Sequence, residues 1–419
     1  MQHTARQPNL RPWQLAAAFM LACFILISRR PDAIFHAQFW AEDGSAWFAD
    51  AYNLGWWQAL LHAKDGYFQT FPRLGASLAL LVPLSLAPLV LNLIATAAQA
   101  LPVNLMLSSR SSAWGSLRFR ALLAAVYLAL PNSTELSATI TNSQWILTLC
   151  VFLLLAASTP KSVAARLFDL SILTLCGLTG PFCIFLLPIA LLLAWMRRDC
   201  WRWAVSGILA ALCLVQACAL LIVNPSGRPH GAALGASPAS FAHIVAGQVY
   251  LGALLGENRL ALRPPHLLSA LLILVALAGT AIIAICFLKS ALQMKLLILL
   301  SAMLLAASLI TPVTYPPPGY STWDVLAGSC GVRYWFFPNL AFAWSLLWCF
   351  TNQNAPLKIL GGFLLIVMCL AMVRDWRHQA FADLHFTEDA KRFEAAPPGT
   401  VVTIPENPAG WTIRLVKHN

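Results

Sequence analysis

Charge is what this sequence has least of. Only 10% of the 419 residues are charged, against about 25% in a typical soluble domain, while 59% are hydrophobic. A water-soluble core cannot absorb that much apolar surface, so the excess must face lipid. Paired-cysteine spacing is missing too. Nine of the eleven cysteines lie inside apolar runs, where a thiol behaves as a small hydrophobe, and only Cys200 and Cys330 fall in loops. Without a CxxC pair or a zinc-spaced Cys/His cluster, neither a disulfide framework nor a structural metal is expected. Walker A, GxGxxG and HExxH sequences are absent as well, and no internal repeat is visible. Mid-helix charges are scarce, which argues against an ion-coupled transporter.

What the chain does have is a series of apolar runs. They fall at about 13–28, 73–107, 120–132, 142–157, 167–179, 181–196, 203–223, 266–288, 295–311, 334–350 and 359–373. The fold expected is an all-α polytopic membrane protein of about 11 spans, with the transmembrane domain at 1–373 and a tail at 374–419. The 73–107 run carries Pro83, Pro88 and Pro102 and is counted as one crossing, either a bent helix with a re-entrant piece or several short helices. Thr179-Gly180-Pro181 supplies a turn. Arg29, Arg30 and Pro31 follow the first run where a signal peptide would carry small residues, so that run reads as an anchor.

The net charge of +11 lies mostly in short loops. That reads as topology, and no nucleic-acid partner is expected. With the N-terminus in the cytoplasm, the inside loops 1–12, 108–120, 158–166, 197–202, 289–295 and 351–358 are basic, as the positive-inside rule requires. Asp169 and Asp199 are the only acids on that side. The other fourteen carboxylates fall outside, in loops 29–72, 224–265 and 312–333 and in the tail, and chemistry belongs there.

In the first outer loop, Trp47, Phe48 and Ala51 recur at helical spacing, as do Trp56, Trp57, Leu60 and Leu61. Both stretches are expected as amphipathic helices on the membrane surface, with tryptophans at headgroup depth. Glu42 and Asp43 open the first helix, where ionised carboxylates are favoured, and Gly44 permits close approach. One reading has Asp43 capping a helix and Glu42 solvated. The other makes one carboxylate a general base, with Lys64, Tyr67 and Arg73 bringing cations and an aromatic face to the same surface.

Further polar positions interrupt the apolar runs on that side. Glu135, Asn142, Gln144 and Trp145 could bind a sugar, or could cap helices and bond between them. Glu257 and Arg259 form a cluster suited to a lipid phosphate or to an exposed turn. Arg333 opens a helix at the outer interface beside Tyr334, suited to a phosphate or to snorkelling toward headgroups. Arg374, Arg377, His378, Lys391 and Arg392 suggest a membrane-surface helix. In the tail, two β-prone runs around Pro405–Gly410 read as a hairpin too small to fold alone, which should dock on the outer loops.

A first outer loop with Glu42-Asp43-Gly44, two surface helices and a many-helix apolar body resembles the GT-C superfamily of membrane glycosyltransferases. Thr141-Asn142-Ser143-Gln144-Trp145, Gly180-Pro181-Phe182 and Arg333-Tyr334 look like part of a set in uncharacterised bacterial members of that group. The resemblance implies a polyprenyl-phosphate-linked sugar donor, an envelope lipid, glycan or protein acceptor, and Asp43 as catalytic base with Glu42 beside it. It also implies the bacterial inner membrane, with chemistry on the periplasmic face. Some relatives hold a divalent metal ion beside the base; Glu42 and Asp43 would allow one, and nothing in the sequence requires it. The rival function is a lipid or lipid-linked-glycan transporter, which would need a polar path through the bilayer. A third is a non-catalytic assembly factor.

Overall fold

A computed structural model describes residues 10–223, 233–257, 266–314, 316–328 and 331–418. The protein is a helical body whose elements run back and forth between two chemically distinct ends. One end gathers the C-terminus of helix Pro12–Arg29, the loop that follows it, residues 129–142 and 178–182, the Val332–Trp335 turn and the tail. The other gathers Ser109–Trp114, residues 157–162 and the start of helix Cys200–Cys218. Every carboxylate except Asp169 and Asp199 belongs to the first end, so the charge segregation expected from the loops is a feature of the fold.

Two helices form the hub. Ser143–Ala156 buries every residue but Leu154, and Phe336–Phe350 is nearly as enclosed. Both sequences are apolar all round, the pattern of a helix surrounded by protein. The outer helix Pro12–Arg29 buries only Ala22 and Arg29, Ala355–Arg374 only Gly361, Met368 and Ala371, and both leave large side chains such as Phe24, Phe363 and Ile366 exposed.

Among the described residues, seven helices are long and apolar enough to cross a membrane: Pro12–Arg29, Leu84–Leu107, Cys200–Ile222, Pro238–Leu255, Leu268–Lys289, Leu292–Ile310 and Ala355–Arg374. The expected count of about eleven is not reached by that measure. Several apolar runs make helices too short, such as Leu117–Leu128 with 12 residues and Ser143–Ala156 with 14, where a lone span needs about 20. Pro238–Leu255 was expected as loop. Its apolar sequence makes it helical, yet both flanks sit at the carboxylate end: Leu234 accepts from Trp323 N, and Glu257 N donates to Asp375. The 73–107 run divides into Thr70–Ala79 and Leu84–Leu107, parted at Pro83.

Buried arginines close helix ends. Arg120, 1% exposed, donates through Nη1 to the carbonyls of Met106 and Ser108 at the end of Ala87–Leu107. Arg202 donates to Leu155 and Ala157 at the end of Ser143–Ala156, and Arg29 to Leu128 and Leu130 at the end of Leu117–Leu128. Terminal carbonyls lack intrahelical partners and carry the negative pole of the helix, so a guanidinium there satisfies both.

The tail folds onto the carboxylate end. β1 (Val401–Glu406) pairs antiparallel with β2 (Trp411–Val416) in the register Val401 to Val416. Ile404, Ile413 and Leu415 are fully buried on one face, packed with Phe39, Phe48 and Phe393. Residues 375–385 are not the expected surface helix: helix Ala355–Arg374 ends there, and the chain is pinned by His378 N to Arg29 O and Phe381 N to Asp32. A helix resumes at Phe386–Glu394, so Lys391 and Arg392 are helical but Arg377 and His378 are not.

Replacing Arg120 with leucine should strip two helix-end carbonyls of their donor and lower stability by about 1–3 kcal/mol. Thermal unfolding in detergent reads this as a clear drop in Tm, while Arg118→Leu at an exposed neighbouring position leaves Tm unchanged.

Candidate functional site

The site is built around the turn that follows Trp40. Glu42 and Asp43 open a wide π-helical segment, Asp43–Phe48, which continues as Ala49–Leu54. Asp43 is 1% exposed. Its Oδ1 accepts hydrogen bonds from Thr141 N (2.9 Å) and Thr141 Oγ1 (2.5 Å), and Oδ2 accepts from Ile140 N (3.3 Å). Burial pushes its carboxyl up to about 7, even though the Thr141 and Ile140 donors favour the charged form. Glu42 keeps partial exposure; burial raises it also, with Arg333 and Lys64 pulling back.

Behind Asp43 lies a relay of side chains. Thr141 Oγ1 also receives Trp47 Nε1 at 2.8 Å. Arg73 stacks over the Trp47 ring with its guanidinium carbon 5.0 Å from the centroid, and pairs with Asp50 at 3.0 Å. Trp47 is therefore buried in protein, not seated at headgroup depth as expected; Trp56 and Trp57 are the exposed pair. Arg73 is fully buried with its charge turned to Asp50.

A second carboxylate–cation pair stands on the facing elements. Arg333 Nη1 meets Glu135 Oε2 at 2.9 Å, and Glu135 also accepts from the backbone N–H groups of Val332 and Arg333. Arg333 Nη2 reaches Val313 O and Tyr334 Oη, both at 3.3 Å, and its carbon lies 4.7 Å from the Tyr334 ring centroid. Burial opposes its charge, but Tyr334, Glu135 and Glu42 outweigh this and hold it above the usual arginine value. Asn142 Nδ2 donates to Glu135 O at 2.7 Å, which ties this pair to the Thr141 segment.

The remaining expected residues divide. Trp145 is buried against Phe182, Tyr334 and Phe337, so it supports the site from the core and presents no ring to a ligand. Gln144 accepts from Gln69 Nε2 at 3.3 Å beside Gly180, whose φ of 79° and missing side chain leave room for it. Lys64 and Tyr67 bond each other's backbone around Asp65-Gly66, both at positive φ, which is the two-residue turn an Asp-Gly pair favours. Lys64 is near enough to act on Glu42. Glu257 lies apart, beside Asp375. Arg259 lies outside the described residues.

One central residue was not anticipated. Glu406, at the end of β1, is 2% exposed and presses its carboxyl on Gly44, where any side chain would collide with it. Neither carboxyl oxygen closes a hydrogen bond of full geometry among the described residues, although the Ser45 hydroxyl and N–H stand near enough to favour its charged form. Ser45 is close by but donates to Ala41 O. Burial, with repulsion from Asp43 and Glu42, pushes Glu406 up to about 9. Its sequence signal is strand periodicity: position 406 shares a face with Ile404, which points inward.

As a cation site the cluster fits poorly. Asp43 commits both oxygens to Thr141 and Ile140, and no group of three metal-capable side chains occurs among the described residues. Arg73 and Lys64 also add positive charge nearby. No family model matches the chain, and no curated protein matches it.

The raised Glu406 and Asp43 values give folding a pH dependence of definite sign. Each group keeps its proton when folded at pH values where the unfolded chain has lost it, so stability is full at low pH and declines as pH rises through the folded value. Between about pH 7 and 9 the Glu406 contribution should dominate. Tm of the wild type is expected to fall across that range, and Glu406→Gln should flatten the fall. Parallel slopes for the two proteins would show that Glu406 is already ionised there.

Proposed function

We propose that this chain is a membrane glycosyltransferase of the GT-C type, transferring a sugar from a polyprenyl-phosphate-linked donor to an envelope lipid, glycan or protein. The observation that carries the reading is the pairing of an anchored carboxylate with a freer one opposite an arginine. Asp43 is locked onto Ile140 and Thr141, while its neighbour Glu42 keeps partial exposure within the fields of Arg333 and Lys64.

In this reading the acid–base work passes from Asp43, the expected base, to Glu42. A base must reach the hydroxyl it deprotonates, and Asp43 spends its oxygens on protein donors. Glu42 takes the acceptor proton, the acceptor oxygen attacks the anomeric carbon, and the bond from that carbon to the phosphate oxygen breaks. The electron pair leaves with the polyprenyl phosphate, whose charge Arg333 and Lys64 offset. One displacement inverts the anomeric configuration. Asp43, Thr141 and Trp47 hold the Glu42 backbone in place, and Glu135 fixes the Arg333 fork. No step requires a metal.

The membrane placement belongs to the same proposal. The candidate spans without Pro238–Leu255, joined by the five shorter helices Leu117–Leu128, Ser143–Ala156, Val163–Gly177, Cys183–Arg197 and Phe336–Phe350, make eleven crossings. The basic end then faces the cytoplasm by the positive-inside rule, and the carboxylate end and tail face the periplasm of a bacterial inner membrane.

Transfer by purified protein in liposomes, with mixed radiolabelled polyprenyl-phosphate sugars and a crude envelope acceptor, tests the reading. Glu42→Gln should insert normally and lose transfer by a factor on the order of 10² or more. Full loss in Asp43→Asn with transfer retained in Glu42→Gln would return the base role to Asp43. Absence of transfer from any donor, with labelled lipid crossing the bilayer, would replace the enzyme by a transporter.

A further inference from the structure

At the basic end, away from the Glu42–Asp43 turn, a chamber of about 460 Å³ lies among helices Ser143–Ala156, Val163–Gly177, Cys183–Arg197 and Cys200–Cys218. Ligand sites usually measure about 300–1,000 Å³. The walls are apolar, formed by Val151, Leu154, Leu173, Ala190, Leu193 and Val205. The mouth is polar, with Ser158 exposed there and Arg110, Asp169 and Arg202 around it. Leu154 is the one residue of the hub helix that is not buried, so the chamber is where that enclosed helix is reached from outside. Leu173 stands about 15 Å along its helix from Val163. The chamber is thus a slot running from loop level into the apolar depth.

The helix faces that line the slot end in cations. Ala190 and Leu193 share a face with Arg197, and Leu173 and Asp169 share one with Arg166. Arg166 places its guanidinium carbon 5.4 Å from the ring centroid of Trp201, which also lines the chamber, and Arg197 is near enough to repel Arg202. The charges at the mouth itself are already committed. Asp169 takes both terminal nitrogens of Arg110, at 2.8 and 2.6 Å, and Arg202 donates to the carbonyls of Leu155 and Ala157. Asp199 accepts from Thr159 and from Trp201 N, and stands 3.9 Å from Arg202. Lys161, Arg166, Arg197 and Arg198 remain, all exposed and none in an ion pair among the described residues. Four available cations therefore rim an apolar slot whose two acids already have partners.

We propose that the chamber takes one acyl chain of an anionic phospholipid from the leaflet at the basic end, with the lipid phosphate held at Arg166 and Arg197. Apolar walls suit a hydrocarbon chain and offer a polar solute no partner at depth, while arginine forks suit a phosphate oxyanion. A cationic rim at a bilayer surface favours acidic headgroups over zwitterionic ones. Leu167 and Trp195, exposed on the same two helices near their basic ends, put bilayer lipid beside the slot. The proposal is independent of the transferase reading: it needs only a bilayer around the helices, and neither Glu42 nor Arg333 lines the chamber.

Photolabelling tests it. Full-length protein is placed in nanodiscs doped with phosphatidylglycerol or phosphatidylcholine that carries a diazirine midway along one acyl chain, and labelled residues are mapped by peptide mass spectrometry. Labelling at Leu154, Leu173 or Leu193 is expected from phosphatidylglycerol at about tenfold or more the level from phosphatidylcholine. The double variant Arg166→Gln/Arg197→Gln should bring the phosphatidylglycerol signal down to the phosphatidylcholine level, and Leu154→Trp, which fills the slot, should abolish it. Unchanged labelling at the outward-facing Leu167 and Trp195 shows that each variant is still folded. Equal chamber labelling from the two lipids, or a signal indifferent to the arginine variant, overturns the anionic headgroup. Labelling confined to the outward-facing positions overturns the chamber as a lipid site.

Discussion

Asp43 is almost wholly removed from water in a protein with few charges, and the need to satisfy it organises the carboxylate end. A buried carboxylate without donors is expensive, so its environment must supply them. Here the donors come from the chain just before the most enclosed helix, at Ile140 and Thr141. Because Thr141 also accepts from Trp47, and Trp47 carries Arg73 on its face, one requirement fixes the first loop, the mouth of the hub helix and the Thr70–Ala79 segment together.

The same logic recurs through the body at lower cost. Arg29, Arg120 and Arg202 each answer the unsatisfied carbonyls at the end of a neighbouring helix, and Glu135 answers the N–H groups of Val332 and Arg333. These charged groups are thus met at helix ends, while neutral polar side chains inside helices, such as Thr148 and Ser345, bond to their own backbone. Glu406 is the exception. It is buried against Gly44 with only the Ser45 donors beside it, and burial, outweighing them, favours the protonated form. The tail hairpin is therefore part of the site's electrostatics as well as its cover.

Much of this was readable from local pattern. The apolar runs mark the helices, Asp65-Gly66 and Thr179-Gly180-Pro181 mark turns, and alternation in 401–416 marks the hairpin. Loop charges also separate the two ends correctly. The reading failed where a side chain's surroundings come from distant chain. Trp47 has the spacing of a surface helix but sits under Arg73, and His378 lies in a basic stretch yet is buried beside Arg29. Glu406 was passed over because an isolated acid in a tail gives no sign of what covers it.

Composition and periodicity by themselves determined that the chain is a helical body for an apolar surround, with nearly all its acids at one end and its excess of positive charge at the other, because those properties are sums over neighbouring residues. They also singled out Glu42, Asp43, Glu135 and Arg333. Only the tertiary structure decided that Asp43 is the anchor and Glu42 the freer group, that Arg333 is held by Glu135, and that Glu406 completes the cluster from more than 360 residues downstream. The reason is physical: burial and hydrogen-bond partnership set a carboxylate's chemistry, and both are supplied by segments that meet only when the chain has folded.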